Sequence, residues 1–120
     1  MRNILLIIYL SLTPIFVATA ATDIDSMECV LAKMPSGDRL VKLDELASDK
    51  GQGLDYKYYA DRLLKEAELS KDDTYKGNAL FQIIRYYYSR NIDSMHFFIK
   101  KAEPIYLAQK RYEDLCRVKG

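Results

Sequence analysis

Few side chains in this sequence have the types and spacings that catalysis requires. The one histidine, His96, has no acid, thiol or hydroxyl beside it in a known motif. It therefore lacks the nucleophile and the orienting group of a catalytic triad. Glu66 and Glu68 lie two residues apart and would point in different directions on a helix. Asp72 and Asp73 are typical of a helix start. From the sequence we expect no catalytic residue, and we predict that the protein is not an enzyme.

Metal and cofactor chemistry has equally little support. Neither Cys29 nor Cys116 has a second cysteine or a histidine at ligand spacing, and the chain contains no glycine-rich phosphate loop. We therefore expect no metal site and no cofactor.

The first twenty residues have the organisation of a secretory signal peptide. Arg2 precedes the apolar run Ile4–Leu12, and the small-residue motif Ala18-Thr19-Ala20 follows. The run is too short for a permanent membrane span. We expect cleavage after that motif, which makes residues 1–20 the signal peptide and 21–120 a single helical domain without a stable membrane anchor. A periplasmic or secreted location follows.

The charge balance bears on possible partners. Lys and Arg number 18 against 17 Asp and Glu, and the formal net charge is +1. Because Arg2 is the only charged residue of the predicted leader, the mature chain is neutral. A neutral chain has no long-range attraction for nucleic acid, so no nucleic-acid partner is expected.

The two cysteines are expected to form a disulfide in an oxidising compartment. Cys29 and Cys116 are the only cysteines, and an even pair in an exported chain predicts a disulfide. In the chain-entropy model, a bond that closes so long a loop is worth about 4 to 5 kcal/mol. We expect it to tie the first mature helix to the last.

Apolar residues recur at helical spacing throughout the mature chain, and no segment alternates convincingly like a strand. This pattern predicts an all-α, single compact bundle of five or six helices closed by the disulfide. Asp72 or Asp73 should begin one helix, and Asn91 should cap the next. Pro104 should break or kink that helix, which leaves open whether one kinked helix or two follow. The clearest stripe is Tyr56, Tyr59, Ala60, Leu63, Leu64 and Ala67.

Aromatic content is the feature that points to binding. In the segment "RYYYSRN", Tyr87 and Tyr88 continue the apolar stripe of their helix, whereas Tyr86 falls beside Arg85. Tyrosine and arginine dominate protein interfaces. The alternative, in which these rings lean on neighbouring helices, is equally open. The predicted partner-binding face consists of Arg85, Tyr86, Arg90 and Asn91.

The stretch Leu80–Asp93, "LFQIIRYYYSRNID", resembles a known group. It is similar to the aromatic-aromatic-x-Ser-basic-x-aliphatic-Asp signature of helical periplasmic immunity proteins that neutralise type VI secreted cell-wall amidases. The exported start and the early cysteine, Cys29, are also similar. The resemblance implies a helical binder that tends to form homodimers and occludes an amidase active site.

These observations favour a small exported protein-binding domain whose partner is another protein. The leading hypothesis is an immunity or inhibitor protein that blocks a periplasmic toxin or cell-wall amidase. The alternative is an accessory factor of a cell-envelope machine, such as a pilotin-like or conjugation-associated protein. Both classes are exported helical domains, so composition does not separate them.

Overall fold

The computed structural model describes residues 24–48 and 55–120. Six helices and no strand occur in this part of the chain, which confirms the all-α prediction. The predicted signal peptide, residues 1–20, and its cleavage point lie outside the described residues. No described helix combines the length and apolar character needed to cross a bilayer. The helices are α1 Ile24–Ala32, α2 Ser36–Ala47, α3 Asp55–Ser70, α4 Asp73–Tyr87, α5 Ile92–Ala108 and α6 Tyr112–Lys119.

The chain divides into two compact units, residues 1–34 and 35–120. Helix α1 is the described part of the first unit, and Leu31 is its buried residue. It ends at Ala32, where the amides of Lys33 and Met34 bond back to carbonyls one turn earlier. The second unit contains α2 to α6.

Side-chain caps begin two helices of the second unit where the sequence predicts them. Asp72 Oδ1 accepts a hydrogen bond from the Tyr75 amide at 3.0 Å and begins α4. Asn91 Oδ1 accepts one from the Ser94 amide at 3.0 Å and begins α5. Each cap satisfies an amide that would otherwise lack an intrahelical partner.

Helix α4 is the central element of the second unit, because it packs against each of α2, α3, α5 and α6. Its apolar stripe meets α5 to form a cluster of buried core residues. Helix α3 buries the stripe that its spacing predicts, with Ala60, Leu63 and Ala67 fully buried. The cluster between α4 and α5 consists of Leu80, Ile84, Met95, Ile99, Ala102 and Tyr106.

Helix α5 runs through Pro104 to Ala108 without interruption. The break predicted at this proline therefore does not occur. Two residues after the end of the helix the chain turns at Lys110, whose φ of 58° is left-handed. The Arg111 amide then bonds to the Tyr106 carbonyl at 2.7 Å, and the Lys110 amide to the Leu107 carbonyl at 3.1 Å, which is a Schellman motif. Pro104 costs one backbone hydrogen bond because it has no amide proton. Its ring is exposed, so it disturbs no packing.

The predicted disulfide between Cys29 and Cys116 is wrong. Both thiols are free and exposed, one on α1 in the first unit and one on α6 in the second. A disulfide needs Cβ atoms about 3.5 to 4.5 Å apart with matching orientation. The number of cysteines and the predicted compartment contain no information on that geometry.

Helices α4 and α5 approach closely at Gly77. The Tyr106 hydroxyl donates to the Gly77 carbonyl at 2.7 Å, and the Tyr106 side chain is fully buried. A Cβ at Gly77 would lie 3.1 Å from Tyr106 Cε1 and 2.7 Å from Arg111 Nη1. Glycine therefore allows the ring and the guanidinium to reach the α4 backbone. Burial raises the pKa of the Tyr106 hydroxyl well above its usual range, so this group stays a donor.

We expect Tyr106→Phe to lower the free energy of unfolding by about 1 kcal/mol, because it removes a buried hydrogen bond and keeps the ring. Urea denaturation followed by circular dichroism measures this change. Tyr112→Phe is the matched control, since Tyr112 is 56% exposed, and its stability should equal that of the wild type. Equal stability of Tyr106→Phe and wild type would contradict the role of this hydrogen bond.

Candidate protein-binding surface

Three residues of the predicted face belong to a set of cations and aromatic rings that contact one another at the α3–α4 contact, which we call the cation–ring cluster. The Arg85 guanidinium carbon is 4.4 Å from the Tyr56 ring centroid. The Tyr56 and Tyr86 rings meet edge to face at 6.1 Å, and the Arg90 guanidinium lies 4.2 Å over Tyr86. Cation–π contacts of this kind hold an arginine in one orientation. The cluster consists of Tyr56, Lys57, Arg85, Tyr86 and Arg90.

Lys57 completes the cluster from α3. Its Nζ is 5.2 Å from the centroids of both Tyr86 and Tyr87, and it pairs with Asp61 Oδ2 at 2.8 Å. Burial lowers the pKa of this ammonium group, but the hydrogen bond to Asp61, the charge of that carboxylate and the interaction with Tyr87 together outweigh burial, and the net pKa is raised. Lys57 therefore contributes a fixed positive charge against the two rings.

Tyr87 packs against the core cluster as its position in the stripe predicts, whereas the other two consecutive tyrosines take positions that differ from the predicted ones. Tyr87 is half-buried and stacks on Phe98 at 5.8 Å. Tyr86, predicted at the surface, is half-buried against Tyr56. Tyr88, predicted in the core, is 73% exposed. Helical phase predicts the direction of a side chain, but not whether a neighbouring helix extends far enough to cover it.

Three residues of the predicted face have local hydrogen-bond partners. Arg90 Nη1 donates to the Tyr86 carbonyl at 2.7 Å, which satisfies an acceptor at the end of α4. The Asn91 side chain is the α5 cap. Arg85 bonds to Gln82 Oε1 through Nε at 2.9 Å. Whether the four residues bind a partner stays a prediction.

An opening of about 180 Å³ lies between α4 and α6, and we call it the apolar groove. Helix α4 contributes residues at i, i+3, i+4 and i+7, which form one stripe. Sequence reasoning missed the α6 side, because the spacing within α6 does not reveal which helix it faces. The lining residues are Phe81, Ile84, Arg85, Tyr88, Arg117 and Val118.

A second opening of about 250 Å³, the polar groove, shares Phe81 and Arg117 with the apolar groove. It extends past the end of α2 and is lined mainly by hydrogen-bonding groups. The two grooves together follow α4 from Asn78 to Tyr88. The remaining lining residues of the polar groove are Asp44, Ser48, Asn78, Gln82, Arg111 and Asp114.

Arg111 organises the polar groove. Its Nη2 donates to Asn78 Oδ1 at 2.6 Å, its Nε to Asp114 Oδ2 at 2.9 Å, and its Nη1 to the Thr74 carbonyl at 3.1 Å. Asn78 Nδ2 in turn donates to Asp44 Oδ2 at 3.5 Å. These bonds connect α2, α4 and the start of α6. Sequence reasoning missed this residue, because its partners on α4 lie more than thirty positions away.

The pKa of the Asp44 carboxyl group is raised by its position in this groove. Burial raises its pKa above the ordinary 3.8, while the hydrogen bond to Asn78 and the charge of Arg111 lower it in part. Burial is the largest of these effects, so the carboxylate is less favourable in the folded protein than in water.

Residues 24–48 and 55–120 contain no group of three or more His, Cys, Asp or Glu side chains that could hold a metal ion. His96 is exposed on α5. No family model, curated protein or solved structure matches the chain. The fold and surface define an all-helical protein with a partly apolar, partly cationic groove.

Substitutions of Asn91 test whether this side chain acts as a helix cap or as a contact to a partner. We expect Asn91→Ala to lower the free energy of unfolding by about 1 kcal/mol, because the Ser94 amide loses its acceptor. Asn91→Asp retains an acceptor at this position and should keep near wild-type stability. Thermal and urea denaturation measure both. Equal destabilisation by Ala and Asp would contradict the cap.

Because the pKa of Asp44 is raised in the folded protein, we expect the free energy of unfolding to depend on pH. A raised folded-state pKa means that the folded protein binds this proton more tightly than the unfolded chain. The contribution of Asp44 to stability therefore falls as the pH rises from 3.8 through the folded-state pKa. We expect Asp44→Asn to gain stability relative to the wild type across that rise, as measured by urea denaturation at several pH values.

The control for the loss of one charge is Glu68→Gln on α3, whose side chain is exposed. A stability difference for Asp44→Asn that is constant with pH, or that follows the control, would contradict the effect of burial.

Proposed function

We propose that this protein is a small exported protein-binding domain that acts as an immunity or inhibitor protein against a periplasmic toxin such as a cell-wall amidase. The observation that carries the proposal is an exposed aromatic beside a fixed arginine at the mouth of a groove. Tyr88 is 73% exposed, and it lines the apolar groove together with Arg85. Tyrosine and arginine residues that border a pocket are typical of the residues that dominate binding energy.

Preorganisation supports a role in tight binding. Arg85 lies on the Tyr56 ring and bonds to Gln82, and Arg90 lies on the Tyr86 ring and bonds to a carbonyl. A free arginine side chain loses about 2 kcal/mol of conformational entropy when a partner immobilises it. Side chains that are already ordered in the free protein avoid much of that cost.

The rigidity of this surface comes from packing and not from a disulfide. The core cluster between α4 and α5 supports the groove from below, and Arg111 holds the start of α6 against α4. In the described part of the chain, every buried side-chain nitrogen or oxygen has a hydrogen-bond partner. Such a surface can dock as a rigid body, which suits inhibition by occlusion of an active site.

The sequence resemblance supports the same proposal. The stretch Leu80–Asp93, which resembles the amidase immunity proteins, contains the α4 side of the groove. On the α4 side, Phe81 forms its wall and Ile84 its base, and Arg85 and Tyr88 border its mouth. Inhibition of this kind needs only contact area and complementarity, with no chemistry performed by the inhibitor.

The test is a calorimetric titration of the purified protein with candidate secreted effectors encoded near its gene, together with an assay of peptidoglycan hydrolysis. We expect tight binding and inhibition. Tyr88→Ala should weaken binding by about 30-fold, the cost of a hot-spot truncation of about 2 kcal/mol. Phe97→Ala is the matched control, because Phe97 is 57% exposed and lies outside the groove, and it should bind like the wild type.

The predicted face is tested with the double variant Tyr86→Ala, Arg90→Ala, which should also weaken binding. Absence of binding to any adjacently encoded effector would contradict the immunity function. Binding to a secretin or pilus subunit instead would favour the role in a cell-envelope machine.

A further inference from the structure

The apolar groove has the size and lining to receive one large side chain. Ile84 is buried at its base, and Phe81 and Val118 are half-buried on its two walls. A cavity of roughly 150 Å³ in a protein core accommodates a benzene ring. An opening of about 180 Å³ therefore has room for one aromatic or large aliphatic side chain of a partner.

Two arginines border this opening from opposite helices, Arg85 on α4 and Arg117 on α6, and none of its lining residues is acidic. In the described part of the chain, Arg85 makes its hydrogen bond through Nε alone, so both of its Nη groups remain available. Arg117 Nη2 pairs with Glu113 Oε2 at 3.3 Å, but the side chains are 59% and 81% exposed. Such an exposed pair contributes little, and a better-placed carboxylate can replace it.

The polar groove continues the same path and offers hydrogen bonds to a peptide backbone. Tyr88 follows Asn78 by ten positions, which corresponds to roughly 15 Å along the helix at 1.5 Å per residue. An extended peptide covers that length with about five residues. Gln82 lines this groove, and it accepts from Arg85 through Oε1, while its Nε2 makes no bond to a described residue.

We propose that the apolar groove binds an acidic, extended segment of the partner protein, with one large apolar side chain between Phe81, Ile84 and Val118 and a neighbouring carboxylate paired with Arg85 and Arg117. This inference rests on the proposed protein-binding function and specifies the chemistry of the partner. Apolar contact supplies the anchor, and the two arginines select against neutral or basic segments.

The experiment uses the protein purified after expression of the full 120-residue chain. An NMR titration compares three blocked pentapeptides: Glu-Glu-Phe-Glu-Glu, Gln-Gln-Phe-Gln-Gln and Glu-Glu-Ala-Glu-Glu. We expect the first to bind, with shift changes at Ile84, Tyr88 and Val118. Replacement of Phe by Ala should weaken binding at least about tenfold, and replacement of Glu by Gln about fivefold at low salt.

The protein-side test is the double variant Arg85→Gln, Arg117→Gln, which should bind the acidic peptide about five- to tenfold more weakly and no longer distinguish it from the Gln peptide. Lys100→Gln, Lys101→Gln removes the same charge from exposed sites on α5 outside the groove and should keep that distinction. Circular dichroism verifies that both variants are folded.

Equal binding of the Glu and Gln peptides to the wild type would overturn the inference, as would shift changes confined to other surfaces. If the protein binds and inhibits its effector while the groove variant and the peptides have no effect, the groove inference fails and the proposed function stands. If the acidic peptide binds as expected while no effector is bound, the groove inference stands and the immunity function fails.

Discussion

The close approach of α4 and α5 at Gly77 is the contact on which the rest of the second unit depends. Because position 77 has no Cβ, the Tyr106 ring and the Arg111 guanidinium both reach the α4 backbone. Tyr106 anchors α5 beyond its internal proline, and the Schellman motif at Lys110 then turns the chain into α6. Both grooves exist because this sequence of contacts brings α6 alongside α4.

Helix α6 illustrates how strongly the surface relies on polar contacts. It has no buried residue, so apolar burial alone holds it weakly. Arg111 compensates with hydrogen bonds to Asn78 and Thr74 and an ion pair to Asp114. Charge-assisted hydrogen bonds are stronger than neutral ones, and several on one guanidinium fix its geometry. The two walls of the apolar groove thus belong to one hydrogen-bonded assembly.

Other arginines of the second unit are also held by contacts within the protein. Glu66 of α3 is buried and pairs with Arg39 of α2 at 2.7 Å and with Arg62 at 3.6 Å. A buried carboxylate of this kind needs its partners, because an unpaired charge in the interior is costly. Arg85 and Arg90 use aromatic faces instead. These arginines therefore have partners within the protein before any other molecule binds, which favours a rigid binding surface.

Local sequence determined the helical class, the caps at Asp72 and Asn91 and the buried stripe of α3, because periodicity and capping act within a few residues. Tertiary structure decided what depends on distant partners. The cysteines stay unpaired since bonding needs a particular distance and orientation, and Pro104 remains within α5 while Tyr106 anchors that helix beyond it. Tyr88 is exposed where no neighbouring helix reaches it, and the groove arises only where α4 meets α6. Side-chain phase is a local property, whereas burial and pairing depend on which surfaces the folded chain brings together.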